Sequence, residues 1–136
     1  MTLLRVYIAS TGSCSACLRR AREAAAKIEA AGHQVMSTWH REPNDRDLVP
    51  TPPMLALRRI DEMEHSSHLI WLAGEQPNVC GNADAAAWEI GWASSRGRHS
   101  ARISSTPERG SEPLIASLMT TYESVEDWLK EEVGHG

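Results

Sequence analysis

The sequence predicts an α/β fold: a three-layer sandwich with helices on both faces of a mainly parallel, four- or five-stranded sheet. Two observations predict it. Short apolar runs at Leu3 to Ala9, His33 to Trp39, His68 to Ala73 and His99 to Ser104 alternate with longer segments of helical spacing, and such alternation favours parallel strands joined by crossover helices. The third run, HLIWLA, shows no polar alternation, as expected of a strand covered on both faces.

Each element has a local reason. Leu3 to Ala9 is a compact apolar strand candidate. Ser13 can cap a helix over Cys14 to Ala31, in which Leu18, Ala21, Ala25 and Ile28 share one face and Gly32 stops the chain. HQVMSTW is the second strand. REPNDRDLVPTPP, residues 41 to 53, is polar and proline-rich and reads as a loop beside a site. The helix that follows runs to about Ser66, with Met54, Leu57 and Asp61 on one face and Ile60 beside it. After HLIWLA and a loop, Asp84 to Ser95 is a helix ended by Gly97. Leu114 to Thr121 is ambiguous between helix and strand. Val125 to Val133, capped by Ser124, closes the chain. The result is one domain over residues 1–136, flavodoxin- or Rossmann-like. Ligands of such sheets bind beyond the carboxyl ends of the strands, where residues 10–13, 40–52, 74–84 and 105–112 would gather.

Composition narrows the function. A net charge of -4 with no long basic run argues against a nucleic-acid polymer as partner. No apolar stretch approaches the roughly 20 residues that span a bilayer, and the N-terminus lacks the features of a signal peptide. Three cysteines, Cys14, Cys17 and Cys80, are an odd number for a disulfide framework and point to the cytoplasm.

Two motifs compete. VYIASTGSCSAC places Cys-x-x-C after a strand at a helix start, where the helix dipole lowers a thiol pKa. A thioredoxin-like chain would continue into an antiparallel hairpin, which the later pattern does not predict, and a small buried hydrophobe is the simpler reading of Cys17. The three cysteines with one histidine make a poor metal signature, so neither metal nor cofactor is expected. NADAAAWEIGWASSRGR carries the stronger signal. Glu89 has almost wholly apolar neighbours, and a carboxylate there needs a partner or a purpose: it is either an exposed or arginine-paired helix residue or a functional one. Gly91 costs helix stability and would admit a close approach. Asp61, on or near the expected inward stripe, is either a boundary residue or a salt-bridge partner of Arg58, or an acid to accompany a nucleophile.

In these stretches the chain resembles the nucleoside 2-deoxyribosyltransferase-like family, which includes 2'-deoxynucleoside 5'-phosphate N-hydrolases. VYIAS resembles its opening strand, with a tyrosine near the site, and AAGHQVMSTWH its second. RRIDEMEHSSHLIWLA resembles the helix carrying a site aspartate and the third strand, and AWEIGWASSRGR the nucleophile helix, written E-[LI]-G-x-A. His68 stands where members often have aspartate. The resemblance implies that Glu89 attacks the anomeric carbon and displaces the base, the sugar passing to a second base or to water. It implies that Tyr7 holds Glu89, that Asp61 contacts base or sugar, and that Asp84 binds a sugar hydroxyl, with Gly81 in the same loop. Ser10, Gly12 and Ser13 would cradle sugar or phosphate. Trp39 is mostly core but placed to stack on a base, and His40 could assist the leaving group or be a solvated loop residue. Trp71, Trp88 and Trp92 are expected in the core. The partner implied is a small-molecule nucleoside or nucleotide, and the assembly a homodimer or larger homo-oligomer. A non-catalytic nucleotide-binding module of the same fold and a thiol oxidoreductase are the alternatives.

Overall fold

A computed structural model describes residues 2–9, 15–41, 52–73, 83–104 and 117–134. Five strands form one sheet: β1 (Arg5–Ile8), β2 (Gln34–Val35), β3 (His68–Leu72), β4 (His99–Ile103) and β5 (Thr120–Tyr122). Every pairing is parallel, and the order is β2-β1-β3-β4-β5. The helices among the described residues are α1 (Ser15–Ala30), α2 (Pro52–Glu64), α3 (Ala83–Ser95) and α4 (Val125–Gly134). The expected α/β sandwich is present, and the ambiguous stretch before residue 122 ends in a strand. The all-parallel sheet overturns the thioredoxin-like alternative, which needs an antiparallel hairpin. Cys17 is half-buried on α1, and Cys14 and Cys80 lie outside the described residues.

Alternation along the strands sends side chains to two cores. Val6 and Ile8 of β1, Ile70 and Leu72 of β3, and Ala101 and Ile103 of β4 meet α1 and α4 through Ala21, Ala25, Ile28, Trp128 and Leu129. Tyr7, Ala9 and Leu69 point the other way, to Met63 of α2 and to Ala86, Ile90 and Ala93 of α3. The second strand is shorter than HQVMSTW suggested. Beyond Val35, Ser37 Oγ accepts a hydrogen bond from the Ile8 amide at 3.0 Å, and the Trp39 indole donates to the Ile8 carbonyl at 2.7 Å. Side chains thus replace the ladder there.

The glycine stops are present. Gly32 has φ +90° and Gly97 φ +74°. In each case the glycine amide and the next amide return to the helix, Gly32 to Glu29 and His33 to Ile28, then Gly97 to Ser94 and Arg98 to Ala93. This pairing satisfies carbonyls that the helix end would orphan, and it requires a left-handed residue. Ser124 caps α4, accepting from the Asp127 amide at 3.1 Å.

Candidate active site

The site lies between β1 and the α2–α3 layer, at the β1/β3 switch in strand order, where ligands of open parallel sheets bind. On α3 the inward stripe is Ala86, Glu89, Ile90 and Ala93, spaced as on a buried helix face. Glu89 thus occupies a position of the stripe that would otherwise be apolar, and none of it is exposed. Burying a carboxylate is costly unless partners replace its water. Tyr7, equally buried on β1, donates its hydroxyl to Glu89 Oε2. Arg59 Nη1 of α2 lies 3.9 Å from the same oxygen. Burial, and then the Glu89 charge, push the Tyr7 phenol far above its ordinary range, so it remains a donor.

Asp61 is corrected. Its side chain is 72% exposed, and its carboxylate faces His65 Nδ1 at 3.5 Å on the outer surface of the helix. Met54 and Leu57, expected on the same inward face, are 59% and 68% exposed. The face that packs inward is Ala56, Arg59, Ile60 and Met63, with Met63 fully buried. The half-buried carboxylate of α2 is the next residue, Glu62. Thr38 donates to it twice, from its amide at 3.3 Å and from its hydroxyl at 2.6 Å. Burial pushes the Glu62 carboxyl above the usual carboxylate range, and the Thr38 bonds and Arg58 and Arg59 pull it partly back. Arg59 and Glu62 are the residues that sequence reasoning missed. The signal that could have found Arg59 is the i, i+3, i+4, i+7 stripe from Ala56 to Met63, in which it is the charged member; Glu62 lies off that stripe.

Other expectations also changed. Gly91 is exposed, and a Cβ built on it meets no described atom within 4 Å, so no close approach is seen among the described residues. His40 is fully buried rather than solvated, with Nε2 3.0 Å from Ser37 Oγ. Burial, with Arg41 and Arg22 nearby, lowers its pKa to about 4, so it is a neutral structural group at pH 7. His68 is buried at the opposite end of β3, with Nε2 3.2 Å from Glu132. Trp88 is 40% exposed rather than core; Trp39, Trp71 and Trp92 are half-buried. Trp39 lies at the carboxyl end of β1 through its bond to Ile8. Ser10, Gly12, Ser13 and Gly81 lie outside the described residues, as does the Asp84 side chain. No group of three or more potential metal ligands occurs among the described residues.

The fold has counterparts among solved structures. A 2-deoxyribosyltransferase from Bacillus psychrosaccharolyticus aligns over 91% of this chain and 89% of its own, with TM-score 0.75 and 16% identity. The chain has the fold of a 2-deoxyribosyltransferase. A conserved protein from Enterococcus faecalis V583 aligns over 99% and 100% with TM-score 0.75 and 17% identity. A CMP N-glycosidase from Clostridium botulinum aligns over 94% and 97% with TM-score 0.61 and 17% identity. No protein-family model matches the chain, and no curated protein does.

Proposed function

We propose that this protein cleaves the N-glycosidic bond of a nucleoside, deoxynucleoside or nucleotide, with Glu89 as nucleophile. The observation that carries the proposal is a fully buried carboxylate, bonded by a buried tyrosine, at the switch point of the sheet. Two structures of this fold supply the reaction class: one is a 2-deoxyribosyltransferase and the other a CMP N-glycosidase.

In the first step a Glu89 oxygen bonds to the anomeric carbon as the bond from that carbon to the base nitrogen breaks. The bonding pair leaves with the base, which takes up a proton, and the sugar remains as an ester of Glu89. Water or a second base then attacks the same carbon, breaks the ester and returns the carboxylate. Negative charge beside the ring stabilises the oxocarbenium character of both transition states. The Tyr7 hydroxyl holds the rotamer, so little reorganisation precedes attack. Glu62, half-buried on α2 and bonded by Thr38, is the carboxylate proposed in place of Asp61 to contact the base or the sugar. Ser10, Gly12, Ser13, Gly81 and Asp84 remain the proposed contacts to sugar or phosphate, and Trp39 to the base. The same reading carries a homodimeric or larger assembly, for which Met54, Leu57 and Trp88 supply exposed apolar surface.

The test is a panel of deoxynucleosides, ribonucleosides and their 5'-monophosphates, with free base followed by chromatography, with and without an acceptor base. Base release that disappears in Glu89→Gln is expected. The acceptor then sorts transfer from hydrolysis. Release that survives in Glu89→Gln, or no release from any member, overturns the proposal.

A further inference from the structure

We infer that Arg59 is a positioning residue for the reacting carboxylate: from the inward stripe of α2, its guanidinium holds Glu89 in the charged form that attacks. The inference rests on the reading of Glu89 given above. Each of the two helices over this face of the sheet carries a charged residue at the same place in its inward stripe, Arg59 in Ala56–Arg59–Ile60–Met63 and Glu89 in Ala86–Glu89–Ile90–Ala93. The two charges are opposite, and the stripes bring them to 3.9 Å. That separation is too long for a direct hydrogen bond, so this contact acts through charge while Tyr7 supplies the bond.

Burial is unequal in a useful sense. The Glu89 side chain has no exposed surface, whereas that of Arg59 retains 23%. The cation keeps part of its hydration, so its desolvation cost is lower than that of a fully buried charge. The anion is dry, and a positive charge within about 4 to 6 Å is what favours its ionised state. Several other described groups belong to the same layer. From β1 comes Tyr7, which stays neutral. From α2 come Arg59 and, one turn on, Glu62, whose charge has the same sign as that of Glu89. Arg58, on the same helix, acts on Glu62. On β3 the side chains of this layer are Leu69 and Trp71, and Arg102 of β4 lies over the Trp71 ring at 5.9 Å. Arg98 fixes the end of α2, donating to the carbonyls of Glu64 at 2.7 Å and Ser66 at 3.1 Å. The helix that carries Arg59 is therefore tied to the turn after α3.

An ion pair that merely joined α2 to α3 would predict something different. Its loss would lower activity equally at every pH. A positioning charge predicts a loss that grows as pH falls, because neutral Glu89 cannot attack. The experiment compares wild type, Arg59→Met, Arg59→Gln and Arg59→Lys, each checked for folding by circular dichroism. The Glu89 carboxyl is titrated by NMR in protein labelled with 13C-carboxyl glutamate and assigned by its absence in Glu89→Gln, and kcat/KM is recorded across pH. In the two neutral variants the midpoint should rise by about one unit or more, and kcat/KM on the acid side should fall about tenfold. Arg59→Lys should restore most of both. An unchanged midpoint in the neutral variants, or a loss independent of pH, overturns the inference. The titration needs no turnover. A wild-type protein that releases no base would therefore overturn the proposed function, while the midpoints would still decide whether Arg59 holds the charge.

Discussion

Tyr7 and Glu89 are 82 positions apart in sequence, yet each meets the other with no exposed surface. Removing the hydroxyl alone leaves the ring packed and the carboxylate short of a donor. Tyr7→Phe should therefore cost about 1 to 3 kcal/mol of stability, read from urea denaturation at pH 7, and should depress turnover by loosening the Glu89 rotamer. A Tyr7→Phe protein as stable as wild type would mean that the bond contributes nothing. His40 gives a second residue-scale prediction. Its pKa is about 4 in the fold against the ordinary value of 6.5, so between these values unfolding takes up a proton. Stability is complete above about 6.5 and falls as pH drops through this window, with a slope of at most about 1.4 kcal/mol per pH unit from this group. His68, also lowered by burial, adds in the same direction. His40→Gln should flatten the profile measured by thermal melts from pH 7 to 4; an unaltered slope would assign the acid sensitivity elsewhere.

At the scale of elements, α2 and α3 differ in how plainly they declare their faces. α3 is apolar over most of its length, so Glu89, the carboxylate on its inward stripe, stands out. α2 offers two stripes, and the more apolar one, Met54 with Leu57, faces out. The inward face is decided by contacts at the end of the helix. Met63 enters the core, Glu62 reaches Thr38, and Arg98 binds the last carbonyls. Long charged side chains suit such a boundary because their stems pack while their heads keep polar partners. Gly91 gives the element-scale test. It is helical, exposed and faces open space, so Gly91→Ala should stabilise by about 1 kcal/mol, seen as a higher melting temperature. If activity falls while stability rises, a ligand or a second copy approaches that position.

For the whole molecule, the sheet separates two cores with different tasks. The α1–α4 side is built from aliphatic side chains and Trp128, with Trp39 and Tyr122 packed against it, and neither Tyr7 nor Glu89 belongs to it. The α2–α3 side holds Tyr7 and, among the apolar side chains, Glu89 and Arg59. Stability and chemistry should therefore respond separately. Ile28, fully buried on α1, should cost about 2 to 5 kcal/mol when cut to alanine, measured by denaturation. The folded fraction should keep the turnover of wild type. A loss of turnover in folded Ile28→Ala would show that the two sides are coupled through the sheet.

Local pattern alone determined the order of elements through β4 and the final helix, the glycine stops at Gly32 and Gly97, the Ser124 cap, and Glu89 as a carboxylate that needed a partner or a purpose; it left the stretch before β5 open. These are legible because caps, periodicity and an out-of-place charge are properties of neighbours in sequence. The resemblance of VYIAS and AWEIGWASSRGR supplied Tyr7 as its holder. Tertiary structure alone decided that β1 lies between β2 and β3, that α2 turns Asp61 outward and Arg59 inward, that Glu62 takes the half-buried place, and that Trp88 is exposed while His40 is buried. Periodicity says which residues share a face; which face meets the sheet depends on partners distant in sequence, here Thr38, Arg98 and the Glu89 carboxylate.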